Sequence, residues 1–522
     1  MGGSQSTVPD HDPTFPYLAI HFRDPDKIQV LNGGSAINAT VREIVAKYYG
    51  EPDSETDVKG LYELKLKGRP FGQMTQTEHS VAIKVVCCLI LERFLSAGWE
   101  LVLSSDLTRT WHSTSWFFRR VAKHDNGMAF GQRSKFVGLC PRSSDCLQVI
   151  GGPDWVTQCV KDCVGDTADG DMKSTRVGDV EVREIKMKGR PWDGDTFAQS
   201  LEIRRLILKL FRTLHDKGFT FYGRANLKSA SDCLFFKQDE RPDKRTFTML
   251  SLNQNDRIRL IEAPAEVTEV VRAAIMEHWP NGMQVGKDHA EKECMEFVLK
   301  GNPWFCSKAE AVAARVFMGH ALQKLQSQGW SVVASLDISR RFNSKGVFIL
   351  AKCKSQESSS PWFCLCPSGN GKLRALNAPK DIQEAIGEVV RETWSPGIDK
   401  EESISEGYTW QLKGSPWCNS DSIPWNLDQA GVRYMMAKML QQMAQLGWQP
   451  SFSCKLSGKV VASDGGPCAP DSVHTIYFTN GGKGKGEEHG CAAGYSWPQG
   501  DPPPPYEEVA AELSDVKCLV EL

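Results

Sequence analysis

The sequence predicts an α+β fold of four tandem repeats with mostly antiparallel sheet. Three observations carry this. One phrase recurs as Leu66-Lys67-Gly68-Arg69-Pro70-Phe71, Met187-Lys188-Gly189-Arg190-Pro191-Trp192, Leu299-Lys300-Gly301-Asn302-Pro303-Trp304 and Leu412-Lys413-Gly414-Ser415-Pro416-Trp417. Its glycines are spaced 121, 112 and 113 residues apart (68 to 189, 189 to 301, 301 to 414). Each phrase ends a strand-like stretch and is followed by an apolar helical pattern closed by Gly-Trp or Gly-Phe.

The first unit sets the element order. Tyr17 to Phe22 reads as a strand, Asp24-Pro25-Asp26 as a turn and Ile28 to Leu31 as the returning strand. Ala36 to Tyr49 carries Ile37, Val41, Ile44, Val45 and Tyr48 at helical spacing. A polar loop, Gly50 to Asp57, leads to the strand Leu61 to Leu66 and the first phrase. The central helix runs from Ser80 to Ala97, and Gly98 is placed as its left-handed C-terminal cap. Trp99 to Leu103 and Ser115 to Phe118 are the last strands.

The other units repeat this order, with central helices at Ser200 to His215, from Ser307-Lys308-Ala309-Glu310 to Gly329, and at Val432 to Leu446. The Ser307…Glu310 spacing fits a capping box. The unit is therefore strand–strand–helix–strand–helix–strand–strand. The domain reading is a disordered segment at 1–14, repeats at 15–125, 134–240, 245–354 and 360–480, and a flexible tail at 481–522. Repetition at a fixed period favours neighbours packed on one another.

Composition bounds the function. With 522 residues, 41% apolar and 24% charged, the chain is long enough for several cores. A net charge of −2 argues against a general nucleic-acid binder, so no nucleic acid is expected as a partner. The 17 cysteines are scattered, several inside apolar runs (Cys87, Cys88, Cys233, Cys364), and no signal peptide is read before them. Reduced, buried thiols in the cytoplasm are expected. The most apolar stretch, Val81 to Leu95, is too short for a membrane span and contains Lys84, Glu92 and Arg93.

The repeated phrase has a structural reading and a chemical one. Structurally, Gly turns the backbone where other residues resist, Pro blocks further pairing, and the aromatic ring plugs the core. Chemically, Lys67, Arg69, Lys188, Arg190, Lys300 and Lys413 are candidate anion-binding residues for phosphates or acidic peptides. Asn302 and Ser415 replace the arginine in the later units, which favours the structural reading. The methionines of the fourth helix (Met435, Met436, Met439, Met443) stand where the other helices hold Leu, Ile or Val, so they read as core.

Metal and catalytic patterns are weak. Cys364-Leu365-Cys366 puts two thiols on one side of a strand without a second ligand pair, and Cys159 and Cys163 share a helix face as packing residues. Gly369-Asn370-Gly371-Lys372 lacks the spacing of a phosphate loop and aligns with a hairpin turn. No catalytic residue, metal site or cofactor is assigned.

The two ends carry the specific signals. Met1-Gly2-Gly3-Ser4-Gln5-Ser6 matches the N-myristoylation pattern, with Gly2 as the acylated residue. One acyl chain gives only reversible attachment to a membrane surface. Pro503-Pro504-Pro505-Tyr506 resembles the Pro-Pro-x-Tyr ligand of WW domains, with Pro503, Pro504 and Tyr506 as the partner-binding residues. The resemblance implies a partner carrying a WW domain, as HECT-class ubiquitin ligases and transcriptional co-activators do.

These signals combine into an expected function. It is a non-enzymatic cytoplasmic adaptor, partly peripheral on membranes, that recruits a WW-domain protein. The alternative is a ligand-binding or enzymatic protein with an anion site in a cleft between repeats. A third reading places RNA on aromatic strands such as Trp116-Phe117-Phe118.

Overall fold

The computed structural model describes residues 11–481, apart from 24, 73–76, 109–113, 122–134, 195, 228–230, 240–242, 290–292, 307, 340–344, 353–359, 418–425, 458–459, 464–465 and 471–472. Four units share one element order. The first holds β1 (Tyr17–Arg23), β2 (Lys27–Leu31), α1 (Gly34–Tyr48), β3 (Ser54–Val58), β4 (Leu61–Lys65), α2 (Thr77–Ser96), β5 (Trp99–Asp106) and β6 (Thr114–Arg120). The second holds β7 (Phe136–Arg142), β8 (Cys146–Ile150), α3 (Asp154–Val164), β9 (Lys173–Val177), β10 (Val180–Lys186), α4 (Phe197–Asp216), β11 (Phe219–Ala225) and β12 (Cys233–Gln238).

The third holds β13 (Thr246–Asn253), β14 (Arg257–Ile261), α5 (Ala265–His278), β15 (Met283–His289), β16 (Cys294–Leu299), α6 (Lys308–Ser327), β17 (Trp330–Leu336) and β18 (Val347–Lys352). The fourth holds β19 (Trp362–Ser368), β20 (Lys372–Leu376), α7 (Lys380–Thr393), β21 (Ile398–Ile404), β22 (Gly407–Leu412), α8 (Asn426–Gln445) and β23 (Trp448–Cys454). It then inserts a hairpin, β24 (Val460–Ser463) and β25 (Gly466–Pro470), before β26 (Thr475–Asn480).

Each unit forms a six-stranded antiparallel sheet, ordered β3-β4-β2-β1-β6-β5 in the first and equivalently in the others. This is the expected order with one strand added. Residues read as polar loop contain β3, and β9, β15 and β21 are its counterparts. All five side chains of β3 are exposed, as suits a strand with a neighbour on one side only. At the opposite edge, β5, β11, β17 and β23 each carry a register shift at the same place, Leu101/Leu103, Phe221/Gly223, Val332/Ala334 and Pro450/Phe452. Such bulges increase local twist.

The central helices end where the Gly-aromatic pairs place them. Gly98, Gly218, Gly329 and Gly447 all take positive φ, between 79° and 86°. A capping box is present at Thr196 and Gln199 of the second unit. Ser307, the cap expected for the third, lies outside the described residues, and the Glu310 carboxylate instead accepts the Asn302 N–H at 3.1 Å.

The units close into a ring. α2 lies between its own sheet and β7 of the second unit, α4 reaches β13, α6 reaches β19, and α8 reaches β1 of the first. Each sheet is therefore covered by its own helices on one face and by the preceding unit's central helix on the other. In β1, Leu18, Ile20 and Phe22 join α1 and α2. Tyr17 and Ala19 join Met435, Met436, Met439 and Met443 of α8. Two further core clusters link the second unit to the third and the third to the fourth. A strand covered on both faces has no polar side to alternate, which explains runs such as Trp116-Phe117-Phe118, all 0% exposed. Among the described residues no helix is long and apolar enough to cross a membrane.

Candidate functional site

The repeated phrases dock within their own units. Gly68, Gly189, Gly301 and Gly414 have φ of 72°, 73°, 86° and 76°, a region where a side chain costs energy. The following aromatics, Phe71, Trp192, Trp304 and Trp417, are at most 1% exposed. Their backbone N–H groups donate to the first-hairpin turn of the unit, at Pro25, Ser144, Asn255 and Asn370. The three indoles donate to the carbonyls of Cys146, Arg257 and Lys372 at 2.8, 3.0 and 2.9 Å. Lys67, Arg69, Lys188, Arg190, Lys300 and Lys413 are all exposed, one phrase to a unit. Lys188 donates to the Asp166 carbonyl at 2.9 Å, and Arg190 pairs with Asp193 at 2.8 Å.

The sheets bring together a different set of residues, at the ring axis. The ends of the bulged strands meet there, β5 with β11, β11 with β17, β17 with β23, and β23 with β5. Every junction is hydrogen-bonded at this point. Asn226 N–H donates to Thr114 Oγ1 at 2.8 Å, Asp232 N–H to the Asp337 carbonyl at 2.7 Å, Gly346 N–H to the Lys455 carbonyl at 2.8 Å, and His474 N–H to the Asp106 carbonyl at 2.9 Å.

Around these bonds lies a buried charge network. Arg224 pairs with Asp232 at 3.0 Å and donates to His474 Nδ1 at 2.8 Å, and His474 Nε2 stands 3.4 Å from Asp106. Lys455 pairs with Asp337 at 3.5 Å. Burial opposes the Arg224 charge, but the Asp232 and Asp106 carboxylates outweigh it and raise its pKa. Burial pushes the Asp232 carboxyl up to about 7 against the pull of Arg224. Lys345, 5% exposed, is drawn down to about 8 by burial and by Lys455. Sequence spacing gave no sign of this set, because Arg224 and His474 are 250 residues apart.

A second repeated feature sits at the unit junctions. Lys84, Arg204, Arg315 and Arg433 each lie fourteen residues before the helix-closing glycine (98 minus 84, 218 minus 204, 329 minus 315, 447 minus 433). Each reaches the next unit around the ring. Lys84 donates to Gln148 Oε1 at 2.8 Å, Arg204 to Ser251 Oγ at 2.7 Å, Arg315 to Thr475 Oγ1 at 3.1 Å, and Arg433 to Ser115 Oγ at 3.2 Å. Among the described residues none of the four is ion-paired with a carboxylate. Burial lowers Arg204 to about 10, and burial with nearby Arg23 lowers Arg433 to about 9.

A cleft of about 800 Å³ lies between α4 and the third unit, lined by Arg212 of α4 with Glu262, Thr268, Arg272 and Asp288. Its charges are of both signs, and Arg212 and Glu262 are ion-paired. Among the described residues no group of three or more metal-ligand side chains is placed to hold an ion. Cys364 and Cys366 stand 3.6 Å apart, and Cys163 donates to Thr213 Oγ1 at 3.3 Å. Gly2, Pro503, Pro504 and Tyr506 lie outside the described residues.

A single domain family matches the chain four times, over residues 16–119, 135–240, 246–351 and 361–479. The chain belongs to this family. The family is described only as a domain, so membership conveys the repeated architecture and no reaction. No curated protein and no solved structure matches the chain. Each family domain corresponds to one sheet of the ring, and the axis network and the junction cations arise only where these domains meet.

Proposed function

We propose that the protein is a non-enzymatic adaptor, a four-domain ring carrying a recruitment motif and a lipid signal on its two tails. The observation that carries this reading is Pro503-Pro504-Pro505-Tyr506, which begins 23 residues after the last ring strand ends at Asn480 (503 minus 480). A polyproline II segment is already extended before it binds, so a WW-domain groove takes it at low entropic cost. A HECT-class ubiquitin ligase is one partner with such a domain. At the other end, acylation of Gly2 would bring the ring reversibly to a membrane surface from the cytoplasm.

The ring suits a scaffold. Its domains spend their apolar faces on one another, and the twelve cysteines described are free thiols, in keeping with a reducing compartment. The phrase cations Lys67, Lys188, Lys300 and Lys413 face solvent and are available to an acidic cargo.

The test is affinity capture of the full-length protein beside Gly2→Ala and Tyr506→Ala, read by mass spectrometry and membrane fractionation. The reading requires Tyr506→Ala to lose WW-domain proteins and Gly2→Ala to leave the membrane fraction. If neither variant differs from the parent, the adaptor reading is wrong.

A further inference from the structure

We infer that Cys140 and Cys233, held beside Lys84 where the first and second domains meet, are an oxidisable thiol pair that closes to a disulfide when a peroxide reaches it. The placement comes from strand register. Leu139 of β7 stands opposite Leu234 of β12, so the next rung sets Cys140 opposite Cys233. Opposed residues of an antiparallel ladder have Cα atoms about 4.5–5.5 Å apart, within the roughly 4.4–6.8 Å that a disulfide spans. Each thiol's titration is set in part by the other, and both are 0% exposed.

Lys84 supplies the second observation. Its side chain is 1% exposed and donates to Gln148 Oε1 at 2.8 Å and to the Pro141 carbonyl at 3.5 Å, both neutral oxygens. Among the described residues no carboxylate pairs with it. A buried ammonium without an anion is unfavourable, and the groups placed to supply one are the thiols Cys140, Cys233 and Cys87. A neighbouring lysine is what stabilises a thiolate. The hydrogen bond from Cys140, helped by Lys84, draws the Cys233 thiol down. Burial pushes Cys140 up. We take Cys233 as the nucleophile and Cys140 as the resolving thiol.

The other junctions show that sulfur is a choice here. The corresponding cation faces Ser251 in the third domain and His21 with Ser115 in the first. In the fourth, Arg315 lies beside Cys366, whose sulfur neighbour Cys364 is on the same strand rather than across the ladder. A cross-strand thiol pair occurs only between β7 and β12 among the described residues.

The chemistry balances with hydrogen peroxide as oxidant. The Cys233 thiolate attacks one peroxide oxygen, the O–O bond breaks, and the departing hydroxide takes a proton to become water. The sulfenic acid formed on Cys233 is attacked by Cys140 sulfur. The S–O bond breaks, and a second water leaves with the Cys140 proton. The disulfide carries no charge, so oxidation removes the anion beside Lys84 and weakens the contact between the first two domains.

The experiment uses reduced full-length protein, treated with hydrogen peroxide under native conditions, then alkylated, digested without reduction and read by mass spectrometry. A Cys140–Cys233 linked peptide is expected. Cys140→Ser should instead leave Cys233 as a sulfenic acid that dimedone traps. Lys84→Met should slow oxidation by roughly tenfold or more through loss of the thiolate, and Lys84→Arg should restore it. Circular dichroism and melting check that each variant is folded. If Lys84→Met does not fold, the parent's pH profile decides. A preformed thiolate gives a rate nearly flat from about pH 6 to 8, whereas ordinary thiols gain about tenfold per pH unit below their usual pKa. No linked peptide, or a rate that climbs in that ordinary way or is unchanged in folded Lys84→Met, overturns the inference.

Discussion

The backbone N–H of His474 donates to the carbonyl of Asp106 at 2.9 Å, joining the fourth domain to the first across 368 residues (474 minus 106). With this bond the row of four domains becomes a ring, and among the described residues each sheet is covered by a neighbour's central helix. Tandem repeats in an open row need terminal units with a polar outer face. Closure removes that need, since α8 covers β1 as α2 covers β7.

The axis network should be both stabilising and sensitive to pH. Removing Arg224 takes from Asp232 its ion-pair partner at 3.0 Å, and breaking a buried pair in this way costs about 3–5 kcal/mol. Arg224→Met should therefore lower the denaturation midpoint sharply. Asp232 titrates at about 7 in the folded protein against about 3.9 when unfolded. A raised carboxyl favours the folded state fully below pH 4, and that contribution falls as pH climbs from about 4 to 7, then levels off. The stability difference between the parent and Asp232→Asn should shift over that window in the direction of parent loss. Urea titrations at pH 4, 5.5, 7 and 8 measure it, and a difference that stays constant refutes the assignment.

Much of the fold was legible because its signals are local. Gly68, Gly189, Gly301 and Gly414 with their aromatic partners mark strand end, turn and core plug within six residues. The edge strand β3 was not legible, because Ser54-Glu55-Thr56-Asp57-Val58 buries no face and so shows no alternation. The axis was hidden for a different reason. Arg224, Asp232, His474 and Asp106 belong to no local pattern and meet only where three domains come together. Lys84, noted only as a charge interrupting an apolar run, is the residue that reaches across a domain junction.

Within one phrase, plug and cation should separate cleanly. Trp304 is 0% exposed and donates to the Arg257 carbonyl, so Trp304→Ala should cost about 3–5 kcal/mol. Lys300 is exposed, and Lys300→Ala should change stability by no more than about 0.5 kcal/mol. Equilibrium denaturation of the two variants side by side checks this. A large loss from Lys300→Ala would give the lysine a structural role that the geometry does not show.

The phrase glycines should differ in how much they tolerate. Gly189 has open space around its missing Cβ, so Gly189→Ala bears only the left-handed backbone, about 1–2 kcal/mol. At Gly301 the new methyl would collide with the Glu310 carboxylate, which accepts the Asn302 N–H. Gly301→Ala should therefore be worse than Gly189→Ala. Adding Glu310→Ala should remove the carboxylate's share of the Gly301→Ala cost, leaving the backbone strain and the approach to Asn281 Nδ2 at 3.0 Å. Equal losses at the two glycines would show that the carboxylate moves aside freely.

Gly319 and Trp362 should behave as a matched pair across the third junction. Gly319 lies on α6, ten residues before the helix-closing glycine, where the other central helices hold Cys88, Leu208 and Ala437 (98 minus 88, 218 minus 208, 329 minus 319, 447 minus 437). A Cβ at Gly319 would stand 2.3 Å from atoms of the Trp362 ring, and that ring, 4% exposed, makes a T-shaped contact with His320 at 5.1 Å. An indole is large and rigid, so it cannot yield as a flexible side chain would. Gly319→Ala should then destabilise by about 1–3 kcal/mol through overpacking, despite alanine's better helix propensity. Trp362→Phe makes room, so the double variant should be more stable than the two single losses imply, with a coupling of about 0.5–3 kcal/mol. Strict additivity in that double-mutant cycle would mean that the two residues do not share the contact, and that the glycine answers to some other neighbour.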